Sequence, residues 1–237
     1  MNNKFVEKLA ALGLELSDKQ LEQFDQYYEL LIEWNKVMNL TGITDYDEVN
    51  EKHFIDSLSI VKVLDLSSVE TVIDVGTGAG FPGIPLKIAF PHLKITLLDS
   101  LNKRINFLNE VINTLGLEGI ETIHGRAEDF ARKPEHREVY DLCVSRAVAN
   151  LSTLCEYCLP YVKVNGSFLP YKSGEIEDEV QAAKTAIKIL GGSDTKIIKF
   201  QLPGTDINRS FVKIKKTKNT GKKFPRRSGL PSKEPIQ

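Results

Sequence analysis

The sequence predicts an α/β protein built on a doubly wound, mostly parallel sheet, and three observations carry that expectation. Thr71–Val75 is a short β-branched apolar run that leads directly into glycines at alternate positions, Gly76, Gly78 and Gly80. From Lys94 to Leu190, apolar runs of strand length alternate with amphipathic helical stretches. Two last strand-like runs, Thr195–Gln201 and Arg209–Lys215, flank Pro203-Gly204, the mark of an antiparallel hairpin.

The chain has 237 residues, enough for one large domain, or one domain with an appendage. Its charged and apolar fractions, 27% and 41%, are those of an ordinary globular protein and exclude a disordered chain. No apolar run is long enough to span a bilayer and no signal-peptide pattern opens the sequence, so a cytoplasmic protein without membrane contact is expected. Three cysteines do not form a disulfide framework. Cys155 and Cys158 make a C-x-x-C pair without a second pair or nearby histidine, so they read as packing residues and no metal site is expected.

Residues 1–65 read as an N-terminal helical segment. Phe5, Val6, Leu9 and Leu12 have helical spacing, and Gly13 ends that stretch. Ser17-x-x-Gln20 is a capping box, followed by Leu21, Phe24, Tyr28 and Leu31 on one helical face, until Asn39-Leu40-Thr41-Gly42 breaks the run. His53 and Asp56 lie three apart in a further helix, spaced either to bond each other or to meet substrate. A core over residues 66–215 begins with the Thr71 strand, and Pro82 and Pro85 suit the first turn of the helix that follows. Strands then read at Lys94–Leu98, Ile120–Ile123, Tyr140–Val144 and Ser167–Tyr171. Helices read at Leu101–Leu115, Asn150–Tyr161 and Glu175–Leu190, the last stopped by Gly191-Gly192. Seven strands closed by an antiparallel hairpin resemble the class I S-adenosylmethionine-dependent methyltransferase fold.

The net charge of −1 hides a polar layout. Residues 213–237 hold nine Lys/Arg and the single acid Glu234, a charge of +8 against −9 over residues 1–212. Residues 216–237 therefore read as a basic C-terminal arm, and Lys222, Lys223, Arg226 and Arg227 as phosphate contacts to RNA. A solubilising tail is the plainer alternative. On the RNA reading, removing the arm should weaken RNA binding in a salt-dependent way and spare cofactor binding.

Two ligand classes compete for the glycine turn. Gly78-Ala79-Gly80-Phe81-Pro82-Gly83 satisfies the dinucleotide pattern G-x-G-x-x-G, which alone is weak evidence and leaves a nicotinamide-dependent dehydrogenase as one reading. The wider pattern Asp74-x-Gly76-x-Gly78-x-Gly80 sets a carboxylate at the strand's end, adverse to a pyrophosphate and favourable to a cation. That string resembles the first motif of the S-adenosylmethionine-dependent methyltransferases, whose cofactor carries a sulfonium and an ammonium. Asp99, at the end of the second strand, has the spacing of a ribose-binding acid and equally that of a helix cap. Ser145-Arg146-Ala147 follows the fourth strand. Neither an Asn/Asp-Pro-Pro-aromatic motif nor a Pro-Cys nucleophile occurs there. Arg146 suits a phosphate or the acceptor face of guanine, or else an ion pair with an acid such as Asp74. An acceptor such as guanine N7, with its own lone pair, needs no general base, so catalysis would consist of positioning and desolvation.

DVGTGAGFPGIPL, HFIDSL, SRAVANL, YKSG and FPRRSGLPSKEP together resemble the bacterial glucose-inhibited division protein B family, along essentially the whole chain. The resemblance implies a methyltransferase of 16S, small-subunit ribosomal RNA that makes 7-methylguanosine and acts on that RNA or on the small subunit. It implies S-adenosylmethionine contacts at Gly76, Phe81, Ala127, Glu128 and Arg146, with Asp99 on the ribose and Asp74 and Gly78 in the same turn. Lys172, after the fifth strand, is a further candidate for phosphate or base contact. A monomer is expected. A non-catalytic RNA-binding module on the same fold is the remaining alternative.

Overall fold

The computed structural model describes residues 1–237. Its centre is one seven-stranded sheet: β1 (Thr71–Val75), β2 (Lys94–Asp99), β3 (Ile120–His124), β4 (Tyr140–Arg146), β5 (Val162–Lys172), β6 (Gly192–Gln201) and β7 (Asn208–Lys216). The strands lie in the order β3-β2-β1-β4-β5-β7-β6. β1 to β5 pair in parallel, and β7 runs antiparallel to both β5 and β6. This is the expected doubly wound sheet with its antiparallel last hairpin. The order reverses between β1 and β4, and a crevice opens there at the carboxyl ends of the strands.

Alternation along the strands divides the interior in two. Val72, Leu97, Leu142, Val144, Leu169 and Phe211 face one core, shared with the N-terminal helices. Ile73, Val75, Leu98, Cys143, Phe168 and Val212 face the other. Cys155 and Cys158 are buried in the second core, where burial pushes both thiols well up, so they pack as expected.

Helices α1 (Asn3–Ala11) and α2 (Asp18–Met38) cover the first core. The capping box forms between Ser17 and Gln20, and Asn39, left-handed at φ 50°, ends α2. Residues 46–62 form one continuous helical run: α3 (Tyr46–Val49), a π-helical turn (Asn50–Ile55), α4 (Asp56–Leu58) and a 3₁₀ turn (Ser59–Lys62). Phe54 from the π turn packs 5.0 Å from Phe24 and 5.3 Å from Tyr27, ring to ring. The Tyr27 hydroxyl donates to the Ala79 carbonyl, so the helical segment braces the glycine turn directly.

The remaining helices are α5 (Gly83–Ala89), α6 (Asn102–Thr114), α7 (Ala127–Phe130), α8 (Leu151–Cys158), α9 (Glu177–Ile189) and α10 (Leu230–Lys233). α5 starts at Gly83, so Pro82 stands just outside it and only Pro85 lies in its first turn. β5 begins five residues before the expected Ser167, because Val162–Gly166 joins the sheet through an irregular register at Tyr140/Leu142.

The C-terminal residues depart most from expectation. Residues 217–237 are not a free arm but pack along the second face of the molecule. Phe224 and Thr220 are buried, and the Arg137 guanidinium donates to the carbonyls of Phe224 (2.9 Å) and Thr220 (2.8 Å). Lys216 is fully buried against Glu138, Thr220 and the Leu159 carbonyl. Part of the basic charge is therefore matched inside the protein by acids from earlier in the chain.

Candidate functional site

The site grows out of Asp74, the fourth residue of β1. It is wholly buried. Its Oδ2 accepts from Thr77 Oγ1 (2.7 Å) and from Gly83 N (2.9 Å), while Oδ1 has no partner. Burial, only partly offset by those two donors, pushes the carboxyl up to about 6. One carboxylate thus ties the start of the turn to the start of α5 and takes the leading amide of that helix.

The glycines hold the turn between β1 and α5. Gly76 has φ +73°, and a Cβ placed on it would come within 2.6 Å of Val148 Cγ2, so only glycine fits without displacing that side chain. Gly78 N donates to Asp99 Oδ2 (2.9 Å). Asp99 also accepts from Leu101 N on Oδ1 (2.9 Å) and from Arg104 Nη1 on Oδ2 (3.1 Å). It stands in the wall of a cleft and holds Leu101, the residue that caps α6, rather than capping that helix itself.

That cleft, a cavity of 370 Å³, lies over the carboxyl ends of β1 to β4. Gly76, Asp99, Ala127 and Glu128 line it, so the structure brings together four of the candidate cofactor residues. The other four stand elsewhere. Asp74 and Gly78 form the frame behind the cleft. Phe81 is buried, its ring stacked 4.6 Å from His53 and tilted against Tyr27 at 5.4 Å. Arg146 lines a second cavity of 490 Å³ beside the first, and Ala147 lines both. Ala147 has φ 56°, a strained value for a residue with a side chain, at the junction of the two spaces.

The second cavity is organised by Asp56, which is buried. Its Oδ2 accepts from Arg146 Nη1 (2.8 Å) and its Oδ1 from Arg209 Nε (2.6 Å). The Arg146 guanidinium also lies 5.0 Å from the Phe81 ring centroid. His53 does not bond Asp56. Its Nε2 lies 2.8 Å from Thr41 Oγ1, and its Nδ1 lies between the Lys52 carbonyl (3.2 Å) and Arg146 Nη2 (3.4 Å). Burial first, then the Arg146 charge, pulls the imidazole down to about 4, so it is neutral at pH 7. Lys172 lines the same cavity, with Nζ on Glu179 (2.7 Å) and on the Ala149 carbonyl (2.9 Å).

Of the basic residues expected to meet RNA, Lys222, Lys223 and Arg227 are exposed and make no ion pair. Arg226 is different. Its Nε and Nη2 form a fork on Glu156, which is 1% exposed, and its backbone N–H donates to the same carboxylate (2.6 Å). Its guanidinium is therefore committed to the protein's own fold, a correction to its reading as an RNA contact. The segment beyond it reaches the first cleft: Gly229 N donates to Glu128 Oε1 (2.7 Å), and Ser232 lines the cavity. Removing residues 216–237 would therefore disturb the cleft as well as the charge, which corrects the expectation that such a truncation spares it.

Sequence reasoning missed Arg104, Val148, Tyr157, Ser232 and Arg209 as lining residues. Val148 and Ser232 lie inside the SRAVANL and FPRRSGLPSKEP segments, which were the available signal, whereas Arg104, Tyr157 and Arg209 sit in no recognisable motif. Arg209, at the start of β7, reaches Asp56 across 153 positions, and nothing local marks such a contact.

Residues 20–212 match the family described as GidB, rRNA small subunit methyltransferase G. A protein of Lachnoclostridium phytofermentans named ribosomal RNA small subunit methyltransferase G is 55% identical over 235 residues, covering 99% of this chain and 97% of that one. A protein of Desulforamulus reducens with the same name is 54% identical over 225 residues, covering 95% and 94%. Among solved structures, an S-adenosylmethionine-dependent O-methyltransferase of Thermotoga maritima aligns with a TM-score of 0.53 at 16% identity, over 81% of this chain and 73% of that one, a likeness of fold. With the fold, the glycine turn and full-length relatives in agreement, the chain belongs to the GidB family of small-subunit rRNA methyltransferases.

Proposed function

We propose that the protein transfers the methyl group of S-adenosylmethionine to N7 of a guanine in 16S, small-subunit ribosomal RNA. When bound, the cofactor supplies an electrophilic methyl on a sulfonium. The residues present fit it. Asp74 puts a buried carboxylate with one unpartnered oxygen behind the turn, which favours a cationic ligand. Asp99 stands at the cleft wall, where ribose hydroxyls can share its acceptor capacity with Arg104. Ala127 and Glu128 line the cleft after β3, as an adenine subsite requires.

One observation carries the choice of acceptor: the two proton-accepting side chains nearest Arg146, His53 and Asp56, are already engaged within the protein. His53 is neutral with both ring nitrogens within hydrogen-bonding reach of other groups, and each oxygen of Asp56 is covered by an arginine. Guanine N7, whose lone pair is free at neutral pH, asks neither of them for proton transfer. The chain's part is to orient that base and exclude water. Arg146 and Arg209, fixed on Asp56, and Lys172 offer positive charge to an RNA strand entering beside the cleft. The exposed Lys222, Lys223 and Arg227 extend that attraction over the surface.

The dehydrogenase reading loses ground because the Asp74 carboxylate takes the Gly83 amide, where a pyrophosphate would have to bind. No helix is long and apolar enough to cross a membrane, and the proposed setting is the cytoplasm, with the protein acting as a monomer on the small subunit or its RNA.

The test uses labelled S-adenosylmethionine with small ribosomal subunits, and with their naked RNA, from cells lacking this protein. Label in 7-methylguanosine after nucleoside digestion is the expected result. Label in another nucleoside refutes the acceptor. RNA affinity with no transfer to either substrate favours a non-catalytic binding module.

A further inference from the structure

The C-terminal segment does more than pack. Past Phe224 it is held at successive points that lead into the cleft. The Arg226 fork on buried Glu156 comes first. Ser228 Oγ then donates to Asp129 (2.6 Å) and Gly229 N to Glu128 Oε1 (2.7 Å), both acids on α7. The Thr153 hydroxyl of α8 donates to the Pro231 carbonyl (3.1 Å), and the Ser152 hydroxyl to that of Ile236. α10 is thereby laid across the gap between α7 and α8, and Ser232, itself exposed, lines the 370 Å³ cavity together with Tyr157 and Glu128.

We infer that Arg226–Ile236 is a wall of the cofactor site, with Ser232 against the adenosyl end of the bound cofactor and the Arg226–Glu156 pair as the clamp that holds the wall in place. The inference rests on the proposed S-adenosylmethionine reading and assigns to this segment a role in binding the cofactor. Two physical points support it. Glu128, at the adenine end of the cleft, has one oxygen taken by the Gly229 amide, so its carboxylate is oriented by the segment as well as by α7. A planar aromatic base held between α7 and α8 also gains by the exclusion of water, and α10 is the element that covers that gap.

Arg226 is a positioning residue in this arrangement and Ser232 a contact residue. Binding of S-adenosylhomocysteine to the full chain, followed by isothermal titration calorimetry, separates the two roles from plain stability. Ser232→Trp changes an exposed side chain and fills the cleft mouth, so it should bind at least about tenfold more weakly at an unchanged melting temperature. Arg226→Ala should weaken binding by about tenfold, and Arg226→Lys, which keeps the charge but loses the fork, should fall between. Lys218→Ala, exposed and outside the segment, should bind within about twofold of wild type. Wild-type affinity in Ser232→Trp overturns the inference and leaves the methyltransferase reading standing. Failure of the unmodified protein to bind S-adenosylhomocysteine overturns both.

Discussion

Replacing Asp74 by Asn should change how stability depends on pH, in a direction set by burial. The side chain is wholly buried with two donors on one oxygen and none on the other, and its carboxyl is pushed from 3.8 to about 6. A raised carboxyl means that the native state holds the proton more tightly than the unfolded chain. The contribution of Asp74 is thus fully present below pH 3.8 and is lost as pH rises through 6. A difference of about two pH units, at about 1.4 kcal/mol each, amounts to about 3 kcal/mol. Asn cannot ionise, yet its carbonyl can still accept from Gly83 N. Wild type should therefore lose about 2–3 kcal/mol relative to Asp74→Asn between pH 4 and pH 7. Urea unfolding of both proteins across that range measures the difference directly. A difference that stays flat within about 0.5 kcal/mol would refute the buried-carboxylate argument, since an exposed-like Asp74 gains and loses nothing on folding. The same variant, relatively more stable at neutral pH, should bind S-adenosylmethionine more weakly, because a charge expensive to bury is kept where a cation is to sit.

His53 should produce the opposite slope. Its imidazole is pulled from 6.5 down to about 4, so its contribution is present above pH 6.5 and lost as pH falls through 4, and wild type minus His53→Phe should decline on acidification in urea titrations. Arg146→Ala should cut turnover by about a hundredfold through misplacement of the acceptor, while Cys143→Ser, inside β4, should leave it within about threefold. Equal losses, read by label incorporation into RNA, would remove Arg146 from the site. Gly76→Ala forces a side chain into a left-handed turn against Val148, so it should cost about 1–2 kcal/mol in denaturation and weaken cofactor binding. Relief by Val148→Ala should be partial, since φ stays at +73°.

Most of the sheet was legible because its strands are buried on both faces and read as apolar runs, and because a glycine turn and a Pro-Gly hairpin mark two of its joints. What escaped is long-range. The start of β5 escaped because Lys163, Asn165 and Gly166 look like loop and fall in the irregular register between the Tyr140–Val162 and Leu142–Ser167 pairs. α7, four residues long, is too short to show a period. The packing of the tail is not legible in summed charge, which ignores partners: Arg226 finds Glu156 across 70 positions, and Lys216 finds Glu138. The spacing of His53 and Asp56 allowed a mutual bond. The π turn and the arginines divide them instead, His53 to Phe81 and Asp56 to Arg146 and Arg209. Asp74, an imaginable partner for Arg146, stays behind the glycine turn.

The Asp56 junction carries a consequence for assembly in time. It joins a helical turn near the start of the chain to a strand 153 residues later, and a similar span of 101 residues separates Glu128 from Gly229. Contacts that close such long loops are repaid only after the intervening chain has been ordered. Both cavities should therefore take shape at the end of folding, once the parallel strands and the last hairpin have formed. An intermediate with a native-like sheet and neither cavity is then the natural precursor. Pulsed hydrogen exchange at the Gly229 amide, protected later than the β1 and β4 amides, is its signature.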